Sequence, residues 1–476
     1  MTPTGPASAG VASGHPLAAA AGLDALTAGG SAVDAALSAA FTQWVVNAPL
    51  CGPGGDLVVL AVDDDDVLCY GGWSRIPIGL DPAADLTSSG PLAAVVPGAL
   101  RGAEGAWRGA GQLPWRELFC GAFAAAEGHE VTPWMARIYG EVARRGNGAA
   151  IGRIADQDGV PEAGAVHSFR RLAGTLAVVA AGGPAAFYEG ELASRIDNAA
   201  QADGAWLRQA DLAEMAAVVE PAERVELGDV SLWLTPFPSQ ASITGRILDA
   251  VAAGDDPAAT AFADVAAPLT ERLLVERCTV GLSGTAVSVA ADRDGRSAAV
   301  VHSLAGTQFG SAWVAGDTGI AFGNRVGTAL STRADLQAAN PRPGGVLPHT
   351  LSAAHARVAD RTMTVATPGG DRQVQWLAQA VQRFRHGQST SDIATGARWF
   401  VCPEGDRFGV PAGIGSPWYA FAEPGIDWSR DAQCAGYEVR PVDSVGGGLQ
   451  LVVHDGRSNE FASDPRAGGG VAVEER

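Results

Sequence analysis

Gly284-Thr285-Ala286-Val287-Ser288-Val289-Ala290-Ala291-Asp292-Arg293-Asp294-Gly295 is followed, after Arg296, by Ser297-Ala298-Ala299-Val300-Val301-His302-Ser303. Small and β-branched residues, an Asp-Arg-Asp-Gly turn and a second apolar run predict a β-hairpin. A hairpin of this kind is ordinarily a core element. What sets this one apart is a Thr that opens the first strand directly after a Gly. A Thr hydroxyl is a poor nucleophile until a base sits beside it. Cutting the chain just before the Thr supplies one, because the freed α-amino group lies on the same residue. Such an amine titrates at roughly 7.7 to 8.0, close to working pH, which suits it to take the hydroxyl proton.

Composition narrows what such a residue could serve. The chain has 476 residues, enough for one large domain or a few small ones. All 33 basic residues are Arg. Without Lys there is no Schiff-base lysine, no lysine-anchored pyridoxal and no P-loop lysine. A net charge of -19 argues against nucleic acid and anionic membrane surfaces. No apolar run reaches the roughly eighteen residues of a membrane span. Met1-Thr2-Pro3-Thr4-Gly5-Pro6 has neither a basic start nor an apolar core, so a cytoplasmic location is expected. Cys51, Cys69, Cys120, Cys278, Cys402 and Cys434 are scattered without a C-x-x-C, which predicts buried free thiols. No close histidine pair supports zinc, and no metal or organic cofactor is expected.

Before the hairpin, an Ala-rich helix stopped by Gly29-Gly30 and a second from about Ser31 through Ala40 are predicted. Cys51-Gly52-Pro53-Gly54-Gly55-Asp56 is a Gly-rich loop entering the strand Leu57–Val62. It lacks the Lys and Ser or Thr of a phosphate cradle. Residues 63–66 are four Asp, read as a solvated turn. Helical patterns run near 117–126, from 169 to about 216, over 243–252 and near 373–385, and the residues after about Gly468 read as a loose tail.

Gly14-His15-Pro16-Leu17-Ala18, Phe187-Tyr188-Glu189-Gly190, Thr235-Pro236-Phe237-Pro238-Ser239, Thr367-Pro368-Gly369-Gly370-Asp371 and Ser463-Asp464-Pro465-Arg466 occur in order along the chain. Together with Thr285 to Gly295 and Ser303, they resemble the γ-glutamyltranspeptidase family. The resemblance implies an α+β N-terminal-nucleophile fold, a four-layer αββα sandwich with two central, mainly antiparallel sheets. It also implies a precursor cut at Gly284-Thr285 into a large subunit (1–284) and a small one (285–476). These would stay together as one intertwined heterodimeric domain, with a dimer of such units left open. Thr285 would be the nucleophile, Ser303 its supporting hydroxyl, and the Gly369 and Gly370 N–H groups the oxyanion hole.

The substrate positions depart from that pattern. Trp73 stands where the family has the Arg that clamps a carboxylate, and Trp offers one N–H and no charge. Arg75, two residues on, is read as lying on the same strand face and as a candidate replacement. Ala305-Gly306, Asn324-Arg325 and Gly344-Gly345 occupy the remaining substrate-contacting segments, without the acidic residue that would hold an amine. The region between Asp255 and Gly284 is also shorter than the family's. The expected activity is therefore acyl transfer to water at an amide or related bond of a small molecule other than glutathione. Two alternatives stand beside it: carbon–carbon bond hydrolysis in alkylproline-type (lincosamide-like) antibiotic biosynthesis, and an uncleaved scaffold or binding relative.

Overall fold

The computed structural model describes residues 5–81, 83–84, 87–155, 159–252, 284–305, 309–329, 342–403, 418–426 and 438–475. The shortened region before Gly284, with Cys278, and also Gly306 and Cys434 lie outside these residues. The hairpin forms as expected, Thr285 to Ala291 pairing Ser303 to Ser297 without a break. It sits in the middle of a 13-stranded sheet. In chain order the strands are β1 (Ala7–Ser13), β2 (Asp56–Asp63), β3 (Asp66–Gly72), β4 (Val218–Pro221), β5 (Glu223–Leu227), β6 (Val230–Leu234) and β7 (Thr285–Ala291). Then follow β8 (Ser297–Ser303), β9 (Ala353–Val358), β10 (Arg361–Ala366), β11 (Gln450–His454), β12 (Asn459–Ser463) and β13 (Gly470–Glu475). Their spatial order is β4-β3-β2-β8-β7-β1-β12-β11-β10-β9-β6-β5, with β13 also on β1.

The expectation of two separate central sheets is corrected to one continuous antiparallel sheet. Strand β1 pairs β7 and β13 and meets β12 at Ala7 and Asn459, which joins the two halves. Small residues make this crowding possible. A Cβ at Gly10 would lie 2.8 Å from the Ala472 carbonyl and 2.9 Å from the Phe461 ring. The tail expected to be loose is β13, because Val471 and Val473 alternate onto the apolar face shared by β1 and its neighbours.

Strand alternation sorts side chains into three cores. Ala286 and Ala290 of β7, Ala298 and Val300 of β8, and Leu57 and Val59 of β2 pack against helices, among them Pro16–Thr27, Ala32–Val46 and Ala99–Ala110. The intervening Val287, Val289, Ala299, Val301, Val58 and Leu60 face Ala353, Ala366, Val452 and Phe461 of the other half. That half turns Ala354, Met363, Val365 and Leu451 toward the helices Ser242–Ala252 and Arg372–Arg385.

The helix Ala32–Val46 runs six residues beyond the predicted Ala40, and all of its side chains are buried. Phe41, Thr42, Trp44, Val45 and Val46 are indifferent helix formers, so packing on all sides overrides propensity. Its N-terminus is held by a capping box between Ser31 and Asp34 and by Asp292, whose carboxylate accepts from Ala32 N–H at 3.2 Å. Cys51, Cys69 and Cys402 are buried, whereas Cys120 is exposed. Among the described residues, no helix is long and apolar enough to cross a membrane.

Beneath the hairpin, Trp44 Nε1–H donates to His302 Nδ1 at 3.1 Å, which leaves the proton on Nε2 to reach Gln43 Oε1 at 2.8 Å. A second proton on His302 would set two donors against each other. Burial pushes His302 and His355 down to about 3, and His15, with His129 beside it, down to about 4. Their unfolded values lie near 6.5, so between these limits the unfolded chain binds more protons and stability rises with pH. Urea unfolding should therefore give constant stability above about pH 7 and a progressive loss from 6.5 toward 4. The His302→Gln chain should be less stable at pH 8 but lose less on acidification; an equal loss would remove His302 from this account.

Candidate active site

Register places Thr285 beside Ser303, and Ser303 beside Asp56 on its other flank. All three share the face that looks toward the other half of the sheet, since they keep the parity of Val287, Val301 and Val58. Thr285 is 4% exposed and heads β7, still attached to Gly284. The Ser303 hydroxyl oxygen accepts from Ala305 N–H at 2.8 Å, and its own proton goes to the Gly284 carbonyl. The carbonyl next to Thr285 is thus held by a hydroxyl whose direction is set from behind. Gly55 lets the loop before β2 lie against the Ser303 backbone, because a Cβ there would be 2.1 Å from the Ser303 carbonyl oxygen.

Asp56 is a buried carboxylate. Its oxygens accept from Ser74 N–H at 2.9 Å and Arg325 Nε at 2.7 Å, with His349 Nδ1 at 3.7 Å. Burial would raise the carboxyl, but His349, Arg325 and Ser74 outweigh it and hold the group below its ordinary value. Trp73 stacks at a tilt on His349, ring centroids 4.8 Å apart.

On its other side Thr285 opens into a cavity of about 630 Å³ that also reaches Gly369, Trp376, Phe400, Trp134 and Arg137. Glycines shape the wall. A Cβ at Gly369 (φ +146°) would sit 2.4 Å from the Trp376 ring, and one at Gly447 (φ +75°) 2.3 Å from it. Neither the Gly369 nor the Gly370 N–H donates to a partner among the described residues. Behind the wall, fully buried Arg398 pairs with Asp464 and donates to Gly446 O at 3.0 Å. Glu423 accepts from Val445 N–H at 2.9 Å and Arg466 at 2.5 Å. This charge network pins the 445–447 loop, and it contains the Asp464-Pro465-Arg466 motif singled out in the sequence.

The positions expected to contact substrate divide. Thr285, Ser303 and Gly369 converge, and Gly370 follows with its carbonyl taken by Gln240 at 3.0 Å. Trp73 and Arg325 meet around Asp56 instead of lining the cavity. Arg75 is not on a continuing strand face beside Trp73, because β3 ends at Gly72. Its backbone bridges Val96 and Val346, and Gly344 and Gly345 exchange hydrogen bonds with Ile76. Asn324 Nδ2 is tied to Ser88 O at 2.7 Å. Asp56, His349, Trp134, Arg137, Trp376 and Phe400 escaped the sequence reading. Asp56 had a signal, an acidic residue opening an otherwise apolar strand.

The family model described as Gamma-glutamyltranspeptidase matches residues 18–267 and 275–474. The chain belongs to the γ-glutamyltranspeptidase family. Human "Glutathione hydrolase 5 proenzyme" is 31% identical over 240 residues, 46% of this chain and 40% of that protein. "Acylase ACY 1 proenzyme" of Pseudomonas sp. (strain V22) is 28% identical over 302 residues, 59% and 53% of the two chains. The matches thus span about half or less of these curated family members. Among solved structures, cephalosporin acylase from Bacillus halodurans superposes with a TM-score of 0.84 at 22% identity, covering 100% of this chain and 97% of the other. The structure of LmbA2991HD gives 0.82 at 20% identity with 100% of both chains covered. Both likenesses are of fold.

For this family member, the Asp56–Arg325 pair sets a stability test. Asp56→Asn leaves a buried guanidinium uncompensated and should cost about 3–5 kcal/mol in urea unfolding. Asp56→Val combined with Arg325→Met should cost well under the sum of the two single changes. Additive losses would mean that the pair is not coupled.

Proposed function

We propose that the chain is a self-processing acyl hydrolase with Thr285 as nucleophile, acting on an amide or related bond of a small molecule other than glutathione. The observation that carries this is the held carbonyl: Ser303 donates to Gly284 O at the peptide bond whose next residue, Thr285, faces the cavity. In the precursor, the Thr285 hydroxyl attacks the Gly284 carbonyl carbon, and the Ser303 hydroxyl stabilises the oxygen as it gains charge. Collapse moves the acyl group from nitrogen to the Thr285 oxygen, and water then releases Gly284 as a carboxylate. The freed α-amine accepts the hydroxyl proton in later turnovers. Gly369 and Gly370 N–H groups meet the substrate oxyanion; single donors of this kind are worth about 3 to 4 kcal/mol. Water then frees the acyl group from Thr285.

In this reading 1–284 and 285–476 remain one heterodimeric body, since strands from both build the same sheet. A four-layer αββα arrangement belongs to the same reading, supported by helices packed on two outer faces of the one continuous sheet. Among the described residues no Asp or Glu lines the cavity to hold an amine, and Arg325 is taken up by Asp56; both disfavour a γ-glutamyl donor.

Denaturing gels with intact-mass analysis test the reading. Wild type should give two fragments, the smaller beginning at Thr285, and Thr285→Ala one intact chain. Ser303→Ala should slow cutting by about 10²- to 10³-fold, with Ser303→Thr restoring it. A wild-type chain that stays intact would leave a non-catalytic binding relative as the better description.

A further inference from the structure

The cavity beside Thr285 has a charge that runs against the rest of the molecule. The chain carries 52 acidic residues against 33 arginines. Yet Arg137, Arg372 and Arg466 line this cavity and, among the described residues, no Asp or Glu does. Arg466 is met by Glu423 and Asp464. Arg137 makes no ion pair among the described residues. It stands on the helix Pro133–Arg144 three residues after Trp134 and one before Ile138, so the three share one helix face, and all three line the cavity. Apolar side chains line the rest of it, nearly buried Trp376 and Phe400 among them, beside Thr285 and Ser444. Trp376 is fixed by Gly369, Gly447 and a 3.1 Å hydrogen bond to Trp399 O, and Arg372 lies 4.4 Å over the Phe400 ring. A volume of about 630 Å³ falls within the roughly 300–1,000 Å³ usual for small-molecule sites.

We infer that this cavity binds carboxylates with a flat, aromatic or similarly apolar body, the carboxylate on Arg137 and the body between Trp134, Trp376 and Phe400. Aromatic walls exclude water from one side of the ring system, while a guanidinium supplies the charge-assisted, two-pronged contact that a carboxylate accepts. A cationic ligand would meet the Arg137 guanidinium and, among the described residues, no Asp or Glu in the lining. Calling the occupant a substrate rests on the proposed role of Thr285; the binding chemistry does not. Arg75, the position expected to replace a lost carboxylate clamp, bridges Val96 and Val346 away from this cavity, so a different wall takes up that task.

Full-length Thr285→Ala protein, which cannot turn over a ligand, is titrated with 1-naphthylacetate, 1-naphthylacetamide and acetate, followed by calorimetry and tryptophan fluorescence. Naphthylacetate should bind at least about tenfold tighter than either of the others and weaken several-fold as salt is raised. Arg137→Gln should bring it down to the affinity of the amide, Arg137→Lys should recover part of the loss, and Trp134→Ala should weaken both naphthyl probes. Equal binding of acid and amide, no binding of any probe, or an Arg137→Gln variant that binds as wild type would each overturn the inference. The gel on wild type separates the two ideas: an intact chain that still selects naphthylacetate would sink the hydrolase reading and keep this site. A cut chain indifferent to the charge would do the reverse.

Discussion

Everything at the site hangs on one hydroxyl held from two sides. Ser303 takes the Ala305 N–H and gives its proton to the Gly284 carbonyl, so the last residue of one strand grips the peptide bond that begins its neighbour. That grip requires β7 and β8 to pair in unbroken register, and a slip of one residue would turn Thr285 away from the cavity and into the helix-facing core. The register is enforced on both faces, by Val287, Val289 and Val301 on one and by Ala286, Ala290 and Val300 on the other.

Small residues are what let so many elements approach this hairpin. Gly10 admits β12 and β13 onto β1, Gly55 brings the loop before β2 against Ser303, and Gly369 and Gly447 clasp the Trp376 ring. The Ala-rich helices serve the same end, presenting short side chains that bury completely against the sheet. Two buried charge groups complete the surroundings. Asp56 with Arg325 and His349 stiffens the strand next to Ser303, and Arg398 with Asp464, Glu423 and Arg466 stiffens the loop opposite Thr285. Buried ions of this kind specify geometry more than they stabilise, because removing them from water costs about as much as their attraction returns.

Much of the scaffold was legible along the chain. The Asp-Arg-Asp-Gly turn between two runs of small and β-branched residues predicted β7 and β8, and the helix start expected at about Ser31 is realised by the capping box. Helix length was not legible at Trp44 to Val46, where packing on every side outweighs propensity. Nor was the fate of the last strand, since Val471 and Val473 read as a tail until β1 offers them an edge.

The sequence by itself determined the hairpin, the Gly-Thr junction, the glycine pair near 369 and an all-Arg basic set with a large acidic excess. These are local properties, written in neighbouring residues and in composition. Only the tertiary structure decided which charges meet. It gave Arg325 to Asp56, brought Arg137, Trp134 and Trp376 to one cavity with Thr285, and joined two expected sheets through β1. The physical reason is that pairing across a sheet and convergence around a cavity depend on residues hundreds of positions apart. Local propensity and spacing carry no record of such distances.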